Sequence, residues 1–233
     1  MAVPKLTRAD IIRFAKADLD EDGNTFWTAS ELADYANRAD RTVFRELLSV
    51  NPGFFLKSTS VTWSGGETSI ALDHPAVLGE EPQLILDIEE TPDSGAIGQN
   101  NLPRMIVPMR FTERPMLYRS HWRQTGLISQ YAWELQGNDL FIAPLSGSDL
   151  FLKIHWVQQL PLMDEDTDVV LAGAAQPYHD AVAACMAYLM NVKQEGENPE
   201  VVRKWTQWKE DIKSMASRRR ADGPKHVTIT RRR

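Results

Sequence analysis

The residues best suited to chemistry lie near the start of the chain. Asp18, Asp20 and Asp22 alternate and close on Gly23, in the stretch DLDEDG. A calcium-binding EF-hand loop begins this way, with side-chain oxygens at its first, third and fifth positions, a glycine turn at the sixth and a bidentate glutamate at the twelfth. The twelfth position here is Ala29, which offers no oxygen. The eighth and ninth are Thr25 and Phe26, and Glu31 comes two residues late. EF-hands pair, and no second loop of this kind occurs in the sequence. The spacing predicts a solvated acidic turn between two helices. It leaves open whether Asp18, Asp20 and Asp22 bind a cation, so a calcium-regulated interaction module stands as an alternative.

The other reactive side chains form no catalytic pattern. The five histidines, His74, His121, His155, His179 and His226, are not spaced as metal ligands. Phosphate-binding glycine loops and the nucleophile elbow are missing. The single cysteine, Cys185, sits in the apolar run AVAACMAYLM and reads as a buried small side chain. It excludes an internal disulfide and a cysteine-based zinc cluster. No cofactor and no enzymatic activity are expected. Aromatics next to cations are the remaining candidates. Trp205 and Trp208 share a helix face beside Lys204 and Lys209 and read as packing residues. Tyr118, Arg119, Trp122 and Arg123, in YRSHWRQ, suit a subunit or partner contact. Stacking on bases is the other use of such clusters, so a nucleic-acid-binding module is a second alternative.

The elements that position these residues change period along the chain. Helical spacing runs from about Leu6 to Leu19, with Thr7 and Asp10 set for a capping box. A second helix starts at Thr28-Ala29-Ser30-Glu31, where Thr28 caps, Glu31 reaches back, and Trp27 and Leu32 form a hydrophobic staple. That gives Glu31 a task other than calcium. The helix ends at Asn51-Pro52-Gly53. Alternation then takes over. Ser58–Trp63 and Thr68–Leu72 are expected to form a hairpin around Gly65-Gly66, and Leu84–Ile88 a strand. Met105–Met109 reads as an edge limited by Pro108, Ile128–Leu135 and Leu140–Ala143 as a hairpin around Gly137-Asn138, and Leu150–Val157 as a last strand. Helices return over Gln176–Val192 and from Asn198-Pro199 to about Ser217.

The fold class expected is α+β: a four-helix bundle formed by the N- and C-terminal helix pairs, an inserted antiparallel β sandwich or barrel, and an extended C-terminal tail. The boundaries expected are 1–56 with 172–217 for the bundle, 57–171 for the β domain and 218–233 for the tail.

Charge is divided between body and tail. The net charge is −6. Residues 218–233 carry six arginines and one lysine against Asp222, so the first 217 residues hold −12. An acidic body does not grip nucleic acid broadly. A basic tail on it points to a tethered contact with an acidic surface. The start MAVPKLTRAD has no apolar signal region, and no apolar run approaches the length needed to cross a bilayer. Synthesis in the cytosol is expected.

Asp18, then Trp27-Thr28-Ala29-Ser30-Glu31-Leu32, then Tyr35-Ala36-Asn37-Arg38-Ala39-Asp40 resembles the start of tailed-phage head-to-tail adaptor proteins. The stretch WELQGNDLFIAP is also similar to that group, especially to the short-tailed phage adaptors called tail tubular protein A. The resemblance implies a structural virion protein at the head-tail junction. It implies a homo-oligomeric ring, commonly a dodecamer, between the portal protein and a tail nozzle or tail tube protein. DNA would pass through the channel without sequence-specific binding. C-terminal segments would dock on the portal, which maps here to Arg218, Arg219, Arg220, Lys225, Val227, Ile229, Arg231, Arg232 and Arg233.

Overall fold

The computed structural model describes residues 5–20, 26–75, 77–80, 82–91, 103–109, 128–143, 146–194 and 198–222. Two compact units emerge: Met1–Phe55 with Leu160–Arg233, and Leu56–Gln159.

The first unit is helical. Helix α1 spans Arg8–Asp18 and is capped by the predicted reciprocal bonds between Thr7 and Asp10. Helix α2 spans Ala29–Val50 and starts with the predicted capping box. The Thr28 N–H donates to Glu31 Oε2 at 3.1 Å, and the Glu31 N–H donates to Thr28 Oγ1 at 3.2 Å. Trp27 and Leu32, the two ends of the expected staple, are both buried. Helix α3 spans His179–Lys193 and helix α4 spans Pro199–Asp222.

The expected four-helix bundle is not what forms. In a bundle each helix shows one apolar stripe to a shared axis. Ten of the fifteen residues of α3 are buried, so its surface is apolar nearly all round and it takes the central place. Helices α1, α2 and α4 each pack against it. Its alanines (Ala181, Ala183, Ala184 and Ala187) let neighbouring backbones come close on several sides. Helix α4 also outruns its predicted end near Ser217 and continues through Arg218–Arg220 to Asp222.

The second unit is one mixed sheet of seven strands: β1 Leu56–Trp63, β2 Ser69–Ala71, β3 Pro82–Thr91, β4 Arg104–Pro108, β5 Ile128–Gln136, β6 Asp139–Ala143 and β7 Leu150–Gln158. The order is β1-β7-β3-β4-β5-β6-β2. The hairpin predicted at Gly137-Asn138 is present, pairing β5 with β6. Two other expectations fail. The sheet is not antiparallel throughout, because β4 and β5 run parallel. Alternation records which face is buried but not which direction a neighbour runs. The Gly65-Gly66 turn does not close a hairpin either. Its two strands lie at opposite ends of the order, β1 on β7 and β2 on β6. The turn is instead bound to the loop before β7: the Gly65 N–H donates to Asp149 Oδ1, and the Gly66 N–H to the Ser146 carbonyl. A Cβ on Gly65 would stand 3.1 Å from the Ser148 backbone, a tight contact, so the close approach favours glycine here.

This connection dictates the shape of the sheet and overturns the expected sandwich. Seven flat strands at about 4.8 Å spacing would separate β1 from β2 by about 29 Å. Residues 64–68 alone link Trp63 to Ser69, a reach of at most about 22 Å. The sheet must curl into a half-barrel. Its concave side holds one core, in which Trp63, Ile88, Ile106, Leu140, Leu152 and Ile154 are almost fully buried. Leu72 and Val77, from the segment after β2, join it. The convex side is polar along β7, where His155 meets Ser58 of β1 at 2.8 Å and Glu89 of β3 at 3.5 Å. Leu152→Ala is expected to lower stability by about 2–5 kcal/mol by leaving a cavity in this core. Urea unfolding followed by circular dichroism would measure it, with the denaturant slope unchanged.

Candidate functional site

The motif residues from Trp27 to Asp40 converge on structure-holding contacts within the helical unit. Lys193, at the end of α3, donates to Glu31 Oε1 at 2.5 Å. Its ammonium also lies 4.7 Å from the Trp27 ring centre and 5.8 Å from that of Tyr35. The Glu31 carboxyl is held down at about 2, first by Lys193 and then by the Thr28 bonds. Glu31 therefore closes a cap and an ion pair.

Further along α2, two polar side chains hold the segment that returns to the helical unit after the last strand. Asn37 pairs with Met163 on both sides: the Met163 N–H donates to Asn37 Oδ1 at 2.8 Å, and Asn37 Nδ2 donates to the Met163 carbonyl at 3.2 Å. Asp40 is buried and accepts the Leu171 N–H at 2.9 Å. Arg8 adds a third tie, from Nη1 to the Met163 carbonyl and from Nε and Nη2 to Asp166. Backbone bonds continue it: Arg8 N–H to Asp168, Ala9 N–H to Asp166 and Val170 N–H to Leu6.

His179 completes this clasp from α3. The Leu6 N–H donates to its Nδ1 at 3.3 Å, and its Nε2 lies 3.0 Å from the Ala174 carbonyl. The two partners select the neutral tautomer with the proton on Nε2. Burial lowers the His179 pKa in the same sense. Between these ties the backbone is left-handed at Leu171, Ala172, Gly173 and Ala175. Three of these carry a Cβ, at a cost of order 1–3 kcal/mol each. Val170 and Leu171, both fully buried, offset that strain with the bonds above.

Other side chains singled out in the sequence have plain roles. Cys185 is buried and its thiol is pushed up to about 12, chiefly by burial. Trp205 is buried under Lys209, and Trp208 packs edge-on against Tyr178. Tyr178 also donates from its hydroxyl to Met215 Sδ. Asp18 is bound to Lys204 at 2.6 Å. Among the described residues no group of acids, histidines or cysteine is placed to hold a metal ion. Asp22 lies outside the described residues, as do Tyr118, Arg119, Trp122, Arg123, Lys225, Val227, Ile229, Arg231, Arg232 and Arg233. Arg218, Arg219 and Arg220 stand in the last turns of α4. The roles of Asn37, Asp40 and His179 in the clasp were not read from the sequence. Polar residues inside helical apolar patterns were the available signal.

Asp40 makes the clasp sensitive to pH. Burial raises its pKa from 3.8 to about 7, against the lowering pull of the Leu171 N–H and Arg41. The unfolded chain releases this proton first, so between those values the folded state binds more protons. Stability from this group is greatest below pH 4 and is lost as pH rises through 7, at up to about 1.4 kcal/mol per unit. Asp40→Asn keeps the acceptor and removes the titration. Its melting temperature is expected to match the parent near pH 5 more closely than at pH 8, where the variant should be the more stable. Thermal melts at the two pH values check this.

No helix among the described residues is long and apolar enough to cross a membrane. No curated protein matches the chain. A family model described as SU10 adaptor protein matches residues 6–228, which include both units and the motif from Trp27 to Asp40. The chain belongs to the SU10 adaptor protein family, a family of phage structural adaptors.

Proposed function

We propose that the chain is the subunit of a homo-oligomeric ring that joins the portal to the tail and leaves a channel for DNA. The observation that carries this reading is the family match, which covers nearly the whole chain. In this reading the protein is of the short-tailed phage type and works at the head-tail junction of the virion. Its partners are further copies of itself, the portal protein and a tail nozzle or tube protein. It is structural and not an enzyme. The groups whose protonation burial perturbs, Asp40, His179 and Cys185, lie in the core.

Charge supports the channel. A body carrying −12 over residues 1–217 repels DNA phosphates and lets the duplex slide. Charge also supports docking through the C-terminus. The last turns of α4 carry Arg218–Arg220, and Arg231–Arg233 end the chain. Cations suit a helix C-terminus, and a basic end seeks an acidic partner surface. Tyr118, Arg119, Trp122 and Arg123 are assigned to subunit or partner contacts in the same ring.

The test is co-assembly with portal rings of the same phage, viewed by electron microscopy. Full-length protein is expected to form a ring stacked on the portal. Chains ending at Asp222 or at Ser217 are expected to keep their circular dichroism and to lose the stack, the shorter one more completely. Normal attachment of the shorter chain would remove the docking role, and the absence of rings from full-length samples would remove the ring.

A further inference from the structure

The two edges of the sheet are finished differently. Strand β2 has three residues, which leaves little edge for another strand to join. Strand β1 has eight, and its register with β7 is unbroken from Leu56 to Trp63. Natural edges are blunted by shortness, proline, bulges or charge. Strand β1 has no proline and no bulge, and its one charged side chain, Lys57, lies 3.4 Å from Glu80. Among the described residues no strand pairs with its outer side. There every second residue turns an N–H and a C=O away from β7. The two faces of β1 also differ. Val61 and Trp63 belong to the concave core, and Ser58, Ser60 and Thr62 are exposed on the convex side.

A strand that completes this edge must alternate in the same way, apolar on one side and polar on the other. Residues 226–230, outside the described residues, carry that pattern in sequence. Val227 and Ile229 alternate with His226, Thr228 and Thr230. Gly223-Pro224 separates the segment from α4, and Arg231–Arg233 follow it directly to the end of the chain.

We propose that residues 226–230 of one copy add as a strand to β1 of the next copy. This inference rests on the ring reading and names the contact that would build the ring. Five extended residues cover about 16 Å and β1 about 26 Å, so the segment fits along it. Val227 and Ile229 then extend the apolar floor formed by Val61 and Trp63. Thr228 and Thr230 stand beside Ser60 and Thr62, where hydroxyls pair across strands. Charge gives the direction. Two carboxylates lie at the Trp63 end of β1: Glu67 Oε2 accepts the Ser64 N–H at 3.2 Å, and Asp149 Oδ1 accepts the Gly65 N–H at 2.9 Å. Arg231–Arg233 reach this end when the segment runs parallel to β1. At the other end Lys225 comes beside Lys57, whose charge Glu80 already offsets. The free edge and the free segment differ, so the contact is head-to-tail, and each copy gives one strand and receives one until the circle closes. Arg218–Arg220, on α4, remain for the portal.

Cross-linking of full-length chains tests this. Cys185 is buried, so cysteines added at the surface are the ones that react. Chains carrying Ser60→Cys are mixed with chains carrying Thr228→Cys and treated with a short bismaleimide. Linked dimers holding one chain of each kind are expected. They should be lost when either variant is treated alone, and when Val227→Cys, which takes the opposite face, replaces Thr228→Cys. No linked dimer in the mixture would overturn the proposal. So would a chain carrying both substitutions that links only within itself, since the segment would then lie on its own β1. Sedimentation velocity gives a second reading. Val227→Asp with Ile229→Asp sets two carboxylates on the apolar floor and is expected to weaken self-association by about tenfold or more, with circular dichroism unchanged. Parent-like association of this variant, where the parent forms rings, would overturn the strand exchange and leave the ring reading intact. A parent chain that is monomeric, alone and with portal rings, would overturn both.

Discussion

The rest of the structure depends on how the chain returns to its helical unit. The strands occupy Leu56–Gln159, 104 residues between two halves of one core. Bringing the ends of such an insertion together costs about 4 kcal/mol of chain entropy before any length-independent part. The return segment, from Leu160 to the start of α3, has few apolar anchors apart from Met163, Val170 and Leu171. It is held by polar bonds to residues far away in sequence: Asn37 to Met163, Asp40 to Leu171, Arg8 to Asp166 and His179 to Leu6. Hydrophobic contact alone would tolerate a shift of the segment along α2. Bonds to particular backbone groups do not, because a one-residue shift would leave buried donors and acceptors unpaired.

That requirement explains the conjunction of Tyr35, Asn37 and Asp40 on a helix otherwise patterned for packing. Each faces a different task in the same unit: Tyr35 the Lys193 cation, Asn37 the incoming strand-like backbone, and Asp40 the left-handed turn that swings the chain into α3. An aspartate in so dry a position is costly when ionised, as its raised pKa records. It is tolerated because its carboxyl supplies an acceptor where the backbone turns through Leu171 and Ala172 with positive φ. The motif is a specification of how the chain closes on itself.

Local signals were legible wherever the responsible atoms are close in sequence. Both capping boxes, the stop after Val50, the helix start at Pro199 and the Gly137-Asn138 hairpin depend on neighbours within about four residues, and all appear where the residue types indicate. The failures are long-range. Nothing in the alternation of Ser58–Trp63 says that its partner is β7, about 90 residues on, and not the nearby Ser69–Ala71. The glycines that look like a hairpin serve other ends: Gly65 passes close to the Ser148 backbone, and Gly66 takes a positive φ. The apolar run of α3 reads equally as a wide stripe and as a central helix; only the crowding of three partners decides between them. The clasp was hidden for the same reason. Asn37, Asp40 and His179 are ordinary polar residues until the chain more than a hundred residues away is set beside them.

The clasp also bears on assembly. Residues 5–9, which lead into α1, bond to the return segment at Asp166, Asp168 and Val170, and His179 ties Leu6 to α3. The direction of α1 is therefore set by the same contacts that close the insertion. Helix α4 is joined to the same frame, by Tyr178 beside His179 and by the Asp18–Lys204 pair that ties it to α1. If the helical unit repeats around the proposed ring, the angle between successive copies depends on how firmly these contacts hold its helices. In a closed circle that angle is used once per subunit, so a small error accumulates around the ring. A soft hinge within the unit would spread the assembly into open or irregular arcs. Strained backbone and buried charge are poor choices for stability alone. They are sound choices for a part whose faces must keep a fixed angle, because each bond fails unless the geometry is met.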